Sequence, residues 1–261
     1  MRPSERAYIR MRLANQGRGS FRADGSTIWL YDAIASDADE ASWWGGISPE
    51  AFIAALEQAS GPVTLRINSP GGSVFGAQAM VAAMRLHPAP ITARIDSLAA
   101  SAASVIAANC ASCVMVPGSM QMIHRAWGLA IGNCADMRAT ADLLEKIDGL
   151  IADSYAARAG DKGTRENFAA LMDAETWFSP EEAVAAGLAD AIAEENTQRA
   201  ANLWDLSAFA AAPRIEPPAP DIEPAPVAPT EPPAPDAGAA QARARAARLH
   251  RLGARLAATP I

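Results

Sequence analysis

Apolar residues recur along the first 212 residues with two alternating periods. Short apolar runs predict β-strands, and longer stretches with apolar residues every three or four positions predict helices. The predicted strands are Thr27–Ile34, Val63–Asn68, Ile91–Asp96, Cys113–Val116, Met120–His124 and a last one near Leu188–Ile192. The predicted helices are Pro49–Gln58, Val74–Leu86, Ala100–Asn109, Asp136–Arg158 and Glu181–Ala186. This alternation predicts an α/β domain with a largely parallel sheet.

The composition changes sharply near residue 212. Ten of the 19 prolines lie between Pro213 and Pro235, mixed with alanines and acids, and such a tract favours an extended backbone that buries nothing. We therefore expect a folded domain over residues 1–212 and a linker over 213–238. Residues 239–261 carry leucines every three or four positions beside arginines, which predicts a basic amphipathic helix. A docking helix for a partner and a half-folded basic tail are equally open interpretations.

The formal charge of −7 is distributed unevenly. Residues 239–261 hold five Arg and no acid, and residues 213–238 hold one Arg against five acids, which leaves −8 for residues 1–212. Attraction to the phosphates of a nucleic acid needs a basic face, and the domain over residues 1–212 is acidic. Nucleic acid is therefore not expected as a partner. Residues 97–124 lack Lys, Arg, Asp and Glu, but a Pro-Gly pair interrupts them and their first half is rich in Ala and Ser. We expect a buried core segment in a cytoplasmic protein and no membrane span.

Three cysteines, an odd number, predict no disulfide framework. Cys110 and Cys113 are spaced like a zinc or redox pair, and a zinc site would need two further ligands, for which His124 and Cys134 are the candidates. Burial as small apolar residues is the simpler interpretation of the pair. We expect no metal and no organic cofactor.

Two strand-to-helix junctions could carry chemistry. The turn Asn68–Ser73 contains Gly71 and Gly72, whose freedom to adopt positive φ would let backbone N–H groups approach a developing oxyanion. The segment Ser97–Ser104 surrounds its serines with small residues, and a hydroxyl at a helix N-terminus gains from the helix dipole. Taken singly, each segment also has a structural interpretation, as a tight turn and as a closely packed helix.

Histidine is scarce, which narrows the search for a general base. His87 precedes a proline in a predicted loop, and His250 lies in the tail. His124 ends a predicted strand 23 residues after Ser101. A base within hydrogen-bond reach of a serine is the arrangement of nucleophilic catalysis, although a lone histidine at a strand end also has a structural interpretation.

Four motifs, in this order and with this spacing, resemble the ClpP family of serine peptidases over about residues 25–195. They are the turn Asn68–Val74, the small-residue run Ala99–Ala102, the strand end Met122–His124, and Phe178-Ser179-x-x-Glu182-Ala183-x-x-x-Gly187-Leu188-x-Asp190. Shorter matches at 123–126 and 175–177, and the additional tail, make the chain similar to ClpP-related head maturation proteases of tailed phages and prophages. The resemblance implies a ββα spiral fold, a projecting helix at Asp136–Arg158 and assembly into a homo-oligomeric ring.

The resemblance also implies a role for individual residues. Ser101 corresponds to the family nucleophile, His124 to the general base, and the N–H groups of Gly72 and Ala102 to the oxyanion hole. An extended peptide substrate would lie along the edge that runs from Gly71 through Ser73 to Phe75.

The implied biological role depends on which branch of the family is followed. The phage type implies ATP-independent processing of scaffold or capsid proteins during prohead maturation, in the host cytoplasm and inside the prohead, without an ATPase partner. The alternatives are a general cytoplasmic ClpP-like peptidase that works with an ATPase partner, and a catalytically idle structural ring protein.

In the family, an aspartate completes a catalytic triad with the serine and the histidine. This third position is where the chain departs from the family pattern. Counting back from Glu182 without a gap places Glu175 at the position of the family aspartate, and Asp173 lies two residues earlier. Either carboxylate could hold the imidazole tautomer and stabilise the imidazolium ion. We prefer Glu175 by register and keep Asp173 as the alternative.

Two other enzyme classes share parts of this pattern. A Ser/Lys peptidase of the signal-peptide-peptidase type needs a lysine base, but the lysines of this chain, Lys146 and Lys162, lie within and after the long predicted helix. A crotonase-type acyl-CoA enzyme would use similar oxyanion glycines but has no need for Ser101 together with His124. Neither class explains the full set of residues.

Overall fold

The computed structural model of the chain describes residues 13–194 and 204–213. The strands in these residues are β1 Ser20–Asp24, β2 Thr27–Tyr31, β3 Val63–Ser69, β4 Ile91–Ala100, β5 Ser112–Met115, β6 Met120–Ile123, β7 Thr176–Phe178 and β8 Ala191–Ile192. The helices are α1 Ala38–Trp44, α2 Pro49–Gln58, α3 Val74–Leu86, α4 Ala102–Ala108, α5 Cys134–Ala159, α6 Arg165–Asp173 and α7 Pro180–Ala185, with a short 3₁₀ turn at Gly160–Lys162. The mixed α/β class predicted from the alternating pattern is confirmed.

The eight described strands form one sheet, with β1, β2, β3, β4, β5 and β8 side by side in that order. Neighbouring strands from β2 to β8 pair in parallel, and β1 runs antiparallel to β2. One edge of β4 pairs with β3, and the other edge has two partners, because its first half pairs with β5 and its last residues, Leu98 to Ala100, pair with β6. The carboxyl ends of β4 and β6 therefore lie next to each other.

Local signals explain where several helices begin. The side chains of Ser48 and Ser73 accept hydrogen bonds from the N–H groups of Ala51 and Gly76, and so cap α2 and α3. Both helices have the predicted bounds. The predicted break between strand and helix after Asp96 is wrong, because β4 continues to Ala100 and α4 begins at Ala102.

Sequence patterning missed four elements, namely β1, α1, α6 and β7. Helix α1 buries no residue, so it has no apolar stripe to detect. Strand β7 spans only three residues and exists through its antiparallel pairing with β6. Helix α6 does carry a local signal, a reciprocal capping box between Thr164 and Asn167, which patterning by hydrophobicity does not read.

The long helix α5 is attached to the core only through its second half. None of residues 134–146 is buried, whereas Ile147, Ile151 and Tyr155 are. The hydroxyl of Tyr155 lies 2.7 Å from Oγ of Ser104 in α4, which ties the two helices together. The first half of α5 therefore projects from the core, in accord with the projecting helix that the resemblance implied.

A buried carboxylate links three neighbouring strands. Asp96 of β4 is 1 % exposed. It accepts hydrogen bonds from the hydroxyl of Tyr31 at 2.5 Å, from Nε of Arg66 at 2.7 Å and from Nε of Arg94 at 3.0 Å. Because burial of a charge is costly without partners, this network is what allows a carboxylate at the centre of the sheet.

The last described residues return to the sheet. Trp204 is buried, and its indole N–H donates to Oδ1 of Asn68 at the end of β3, at 2.8 Å. Trp204 and Leu206 form a small apolar cluster with Leu98, Ala100 and Met122. The predicted linker 213–238, apart from Pro213, and the predicted tail 239–261 lie outside the described residues, and both remain predictions. In the described ranges, no helix combines the length and the apolar character needed to cross a membrane.

Candidate active site

Ser101 occupies a sharp turn between β4 and α4. Its φ of 54° and ψ of −125° lie in a region that residues with a side chain rarely adopt. Although Ser101 stands at the N-cap position of α4, its side chain makes no capping hydrogen bond. The backbone is held instead by a bond from the Ser101 N–H to the carbonyl of Met122, at 2.9 Å. The hydroxyl is therefore free for another partner.

That partner is His124, which directly follows β6. Its Nε2 lies 2.7 Å from Oγ of Ser101. The contact follows from the pairing of the last residues of β4 with β6, which brings the two strand ends together. The sequence prediction paired these two residues, and the structure brings them into direct hydrogen-bond contact.

The surroundings of His124 favour its neutral form. Burial lowers the pKa of the imidazole below its ordinary value, and the negative charge of Glu175 partly opposes this effect. A neutral imidazole can accept a proton from a hydroxyl, as a general base must. The rings of Phe209 and His124 form a T-shaped contact, with centroids 5.5 Å apart and planes at 86°.

The glycine turn lies against the serine turn. A Cβ built on Gly71 would be 2.8 Å from Cβ of Ser101 and 3.0 Å from the N atom of Ala102. Gly72 has φ 147°, and a Cβ there would be 2.1 Å from the carbonyl oxygen of Ile34, so a side chain cannot be accommodated. The predicted oxyanion-hole residues therefore lie beside the serine.

The hydrogen bonds of this turn leave one backbone edge open. Ile34 donates to the carbonyl of Gly71 and accepts from the N–H of Ser73, both at 2.9 Å. This pairing uses neither the N–H nor the C=O of Gly72. The N–H of Ala102 is the first of α4 and has no acceptor within its own helix. Both predicted oxyanion donors are thus outside the backbone pairing that holds the turn. The side chain of Ser73, by contrast, is used as a helix cap.

The two candidate carboxylates occupy different environments. Glu175 has φ 51° and accepts hydrogen bonds from the N–H groups of Ala210 at 3.0 Å and Ala211 at 2.7 Å. Its charge acts on His124. The carboxylate of Asp173 is half exposed and pairs with Arg125, which keeps the pKa of Asp173 below its ordinary value. Among the described hydrogen bonds, neither carboxylate bonds to the imidazole of His124.

An apolar groove adjoins the glycine turn. It runs between the start of α3, the loop after His124 and the first half of α5. Its large apolar side chains are Val74, Phe75, Trp127, Leu129, Leu143, Leu144 and Ile147. Several of them are exposed, Phe75 to 64 % and Leu129 to 60 %. The sequence prediction covered Val74 and Phe75 only as part of a substrate edge and missed the others.

Phe209 is a further site residue that the sequence analysis missed. It lines the pocket above Ser101 together with Gly71, Gly72 and Trp127. The available signal was weak: a single aromatic residue in an Ala-rich stretch, just before the predicted linker.

The cysteines take no part in this site. Cys110 and Cys113 are buried and unpaired, and burial raises the pKa of both thiols above the ordinary value. Cys134 is exposed at the start of α5. Within residues 13–194 and 204–213, no three His, Cys, Asp or Glu side chains are grouped so that they could hold a metal ion.

Comparison with known proteins shows the family of the chain. The family model described as Clp protease matches residues 46–196, which include Ser101, His124 and both carboxylates. The ATP-dependent Clp protease proteolytic subunit of Nephroselmis olivacea is 27 % identical over 139 residues, covering 52 % of this chain and 66 % of that protein, just under two thirds. The ATP-dependent Clp protease proteolytic subunit 1 of Protochlamydia amoebophila (strain UWE25) is 31 % identical over 178 residues, covering 65 % and 81 %.

A mainly parallel sheet that brings a serine and a histidine into hydrogen-bond contact at its carboxyl edge is the arrangement expected of an α/β serine hydrolase. The chain belongs to the Clp protease family, whose members are serine endopeptidases that form oligomeric rings.

Proposed function

We propose that this chain hydrolyses peptide bonds through an acyl-enzyme intermediate, with Ser101 as nucleophile and His124 as general base. The observation that carries the proposal is the 2.7 Å contact between Oγ of Ser101 and Nε2 of His124, made from a serine whose backbone is strained and whose side chain caps no helix. Strained backbone of this kind is concentrated at functional sites.

The reaction proceeds in two halves. The imidazole of His124 takes the proton of Ser101 while Oγ bonds to the substrate carbonyl carbon, and the N–H groups of Gly72 and Ala102 stabilise the resulting oxyanion. The proton then passes to the leaving amine as the C–N bond breaks. Water, activated by the same imidazole, releases the acyl group and restores Ser101. The charge of Glu175 stabilises the imidazolium ion that forms in each half.

The substrate is an extended peptide. We propose that it pairs with the open backbone edge of Gly72 and continues past Ser73, as added strands do at a sheet edge. The apolar groove between α3 and α5 then receives an apolar side chain of the substrate, with Phe75 and Leu143 as its walls. Removal of such a side chain from water supplies binding energy of about 1.5–3 kcal/mol.

We propose that the chain forms a homo-oligomeric ring and processes scaffold or capsid proteins during prohead maturation, in the host cytoplasm and inside the prohead. The support is the similarity of 123–126 and 175–177 to head maturation proteases, together with the Pro-rich linker and basic tail. In this proposal residues 239–258 dock the protease to its scaffold or capsid partner.

A second role has its own support. The two relatives described above are named as proteolytic subunits of ATP-dependent Clp proteases, which favours a peptidase that works with an ATPase partner. Two cleavage assays separate the two roles. Stimulation of casein degradation by a Clp ATPase and ATP supports the second role, and ATP-independent cleavage of a co-expressed capsid protein supports the first.

The catalytic assignment is tested with a fluorophosphonate probe and a fluorogenic peptide. Ser101→Ala should lose labelling and about 10⁶-fold in turnover, because triad nucleophile loss has this effect. Ser97→Ala, a serine in β4, is the matched control and should behave as the unmodified chain. Undiminished cleavage by the Ser101 variant would reject Ser101 as the nucleophile, and absence of labelling in the unmodified chain would support an idle ring.

The docking role of the tail is tested by truncation after Ala212. The truncated chain should keep hydrolysis of small peptides and lose co-purification with the capsid partner. Equal recruitment without the tail would reject this role.

A further inference from the structure

The residues Trp204 to Ala211, called here the covering segment, lie over the catalytic pair. They follow the matched family region, which ends at residue 196. Their contacts reach four parts of the fold: Asn15 before β1, Asn68 at the end of β3, His124 after β6 and Glu175 before β7. A segment with so many specific partners is part of the folded site.

The start of the covering segment is firmly attached. Besides the bond between Trp204 and Asn68, the side-chain amide of Asn15 brackets the backbone of Asp205. Nδ2 of Asn15 donates to the carbonyl of Asp205 at 2.9 Å, and Oδ1 accepts from its N–H at 2.7 Å. These two anchors fix the position from which the chain continues toward His124.

Phe209 then meets the catalytic histidine. Its ring also packs against Trp177 of β7, at 5.8 Å between centroids and 79° between planes, so the phenyl group is held from two sides. The contact covers a face of the site that also contains Ser101. An aromatic edge against an imidazole restricts its rotation and removes water from it.

The next two residues hold the carboxylate that acts on the histidine. The N–H of Ala210 donates to Oε2 of Glu175 and the N–H of Ala211 to Oε1, so both carboxylate oxygens are occupied. Charge-assisted bonds of this type are strong and fix the position of a carboxylate. The indole N–H of Trp177 is a further, longer contact at 3.4 Å.

We propose that the covering segment is a functional part of the active site, in which Phe209 is a positioning residue for the His124 imidazole and Ala210 and Ala211 fix the Glu175 carboxylate beside it. The inference rests on the proposed serine peptidase function and extends it to residues outside the matched family region. One short segment thereby controls both influences on the imidazole, its removal from water and the negative charge of Glu175.

The charged groups around His124 allow the role of Phe209 to be tested through the pH dependence of activity. Among the described groups, Glu175 is the one whose charge shifts the pKa of the imidazole. Arg125, next along the chain, pairs with Asp173 and Asp148. Loss of Phe209 admits water and raises the pKa of His124, which moves the acid limb of activity to higher pH. A purely structural role for Phe209 would lower activity at every pH equally.

The experiment uses the full chain and measures the rate of fluorophosphonate labelling at Ser101 from pH 5 to 9. Phe209→Ala should slow labelling roughly tenfold at neutral pH, as displaced catalytic groups do, and shift the acid limb upward. Phe209→Leu, which keeps an apolar cover, should restore the position of the limb. Trp43→Ala, which truncates an exposed aromatic residue in α1, is the matched control. It should leave the labelling rate and the position of the acid limb unchanged.

A second pair of variants tests the backbone donors. Ala211→Pro removes the N–H that bonds to Oε1 of Glu175 and should shift the acid limb, whereas Ala212→Pro, one residue beyond the segment, should not. The imidazole ¹⁵N signals of His124 report the same changes independently of turnover. Unchanged labelling rate and pH profile in both Phe209→Ala and Ala211→Pro would overturn the inference, provided that the unmodified chain labels at Ser101. Absence of that labelling would instead reject the peptidase function itself.

Discussion

Asp173 accepts a hydrogen bond from Nε of Arg125, the residue that directly follows the catalytic histidine candidate. This pairing draws Asp173 into a surface cluster with Asp148, which also pairs with Arg125. Glu175, two residues later, has a left-handed backbone and acts electrostatically on His124. The two carboxylates that the sequence left as alternatives therefore have different neighbours.

The first prediction separates these carboxylates. Glu175→Gln should lower turnover by up to roughly 10⁴-fold, because loss of the triad carboxylate charge in serine proteases has an effect of this size. Asp173→Asn, its matched control, should have a small effect, since Asp173 is half exposed and bonded to Arg125. Steady-state hydrolysis of a fluorogenic peptide measures both. The reverse pattern would assign the role to Asp173, and two small losses would indicate a Ser/His dyad.

The second prediction concerns the pH dependence of kcat/KM. His124 must be neutral to accept a proton, and burial lowers its pKa, so the acid limb should fall below pH 6.5, the ordinary value for histidine. Because the Glu175 charge raises this pKa, Glu175→Gln should move the limb to still lower pH, opposite in direction to Phe209→Ala. An acid limb above pH 7 in the unmodified chain would contradict the assignment of His124 as a buried base.

The third prediction concerns the buried carboxylate of the sheet. Asp96→Asn removes the charge that neutralises Arg66 and Arg94, whose side chains are only 19 % and 28 % exposed. We expect unfolding free energy to fall by about 3 kcal/mol, at the lower end for breaking a buried ion pair. Urea denaturation followed by circular dichroism measures it. Asp24→Asn, at the exposed end of β1, is the control, and an equal loss in both variants would refute the role of the network.

The fourth prediction concerns Gln121 in β6, which is fully buried. Among the described residues, neither its side-chain nitrogen nor its oxygen has a hydrogen-bond partner. Gln121→Met keeps the shape and removes the unmet polar groups, so stability should rise by about 1–3 kcal/mol. Gln58→Met, at the exposed end of α2, should change little. A loss of stability in the first variant would show that the amide has a bound partner in solution.

Local backbone geometry explains how far the sequence predicted the elements. Helices α2 and α3 have serine caps next to regular apolar periods, and the sequence predicted their bounds correctly. It did not predict the start of α4, because Ala99, Ala100 and Ala102 suit either a strand or a helix. Pairing of Leu98 to Ala100 with β6 selects the strand and moves the bend to Ser101. This bend places the hydroxyl of Ser101 beside His124.

The sequence by itself determined the α/β class, the family, and the serine, histidine and glycines of the candidate site, because each lies in a short motif at the end of a predicted strand or helix. Only the tertiary structure decided which distant residues complete the site. Phe209 lies 85 residues beyond His124, and Ala211 lies 36 residues beyond Glu175. Contacts between such residues depend on how the whole sheet and its covering segment pack, and that packing leaves no periodic trace in the local sequence.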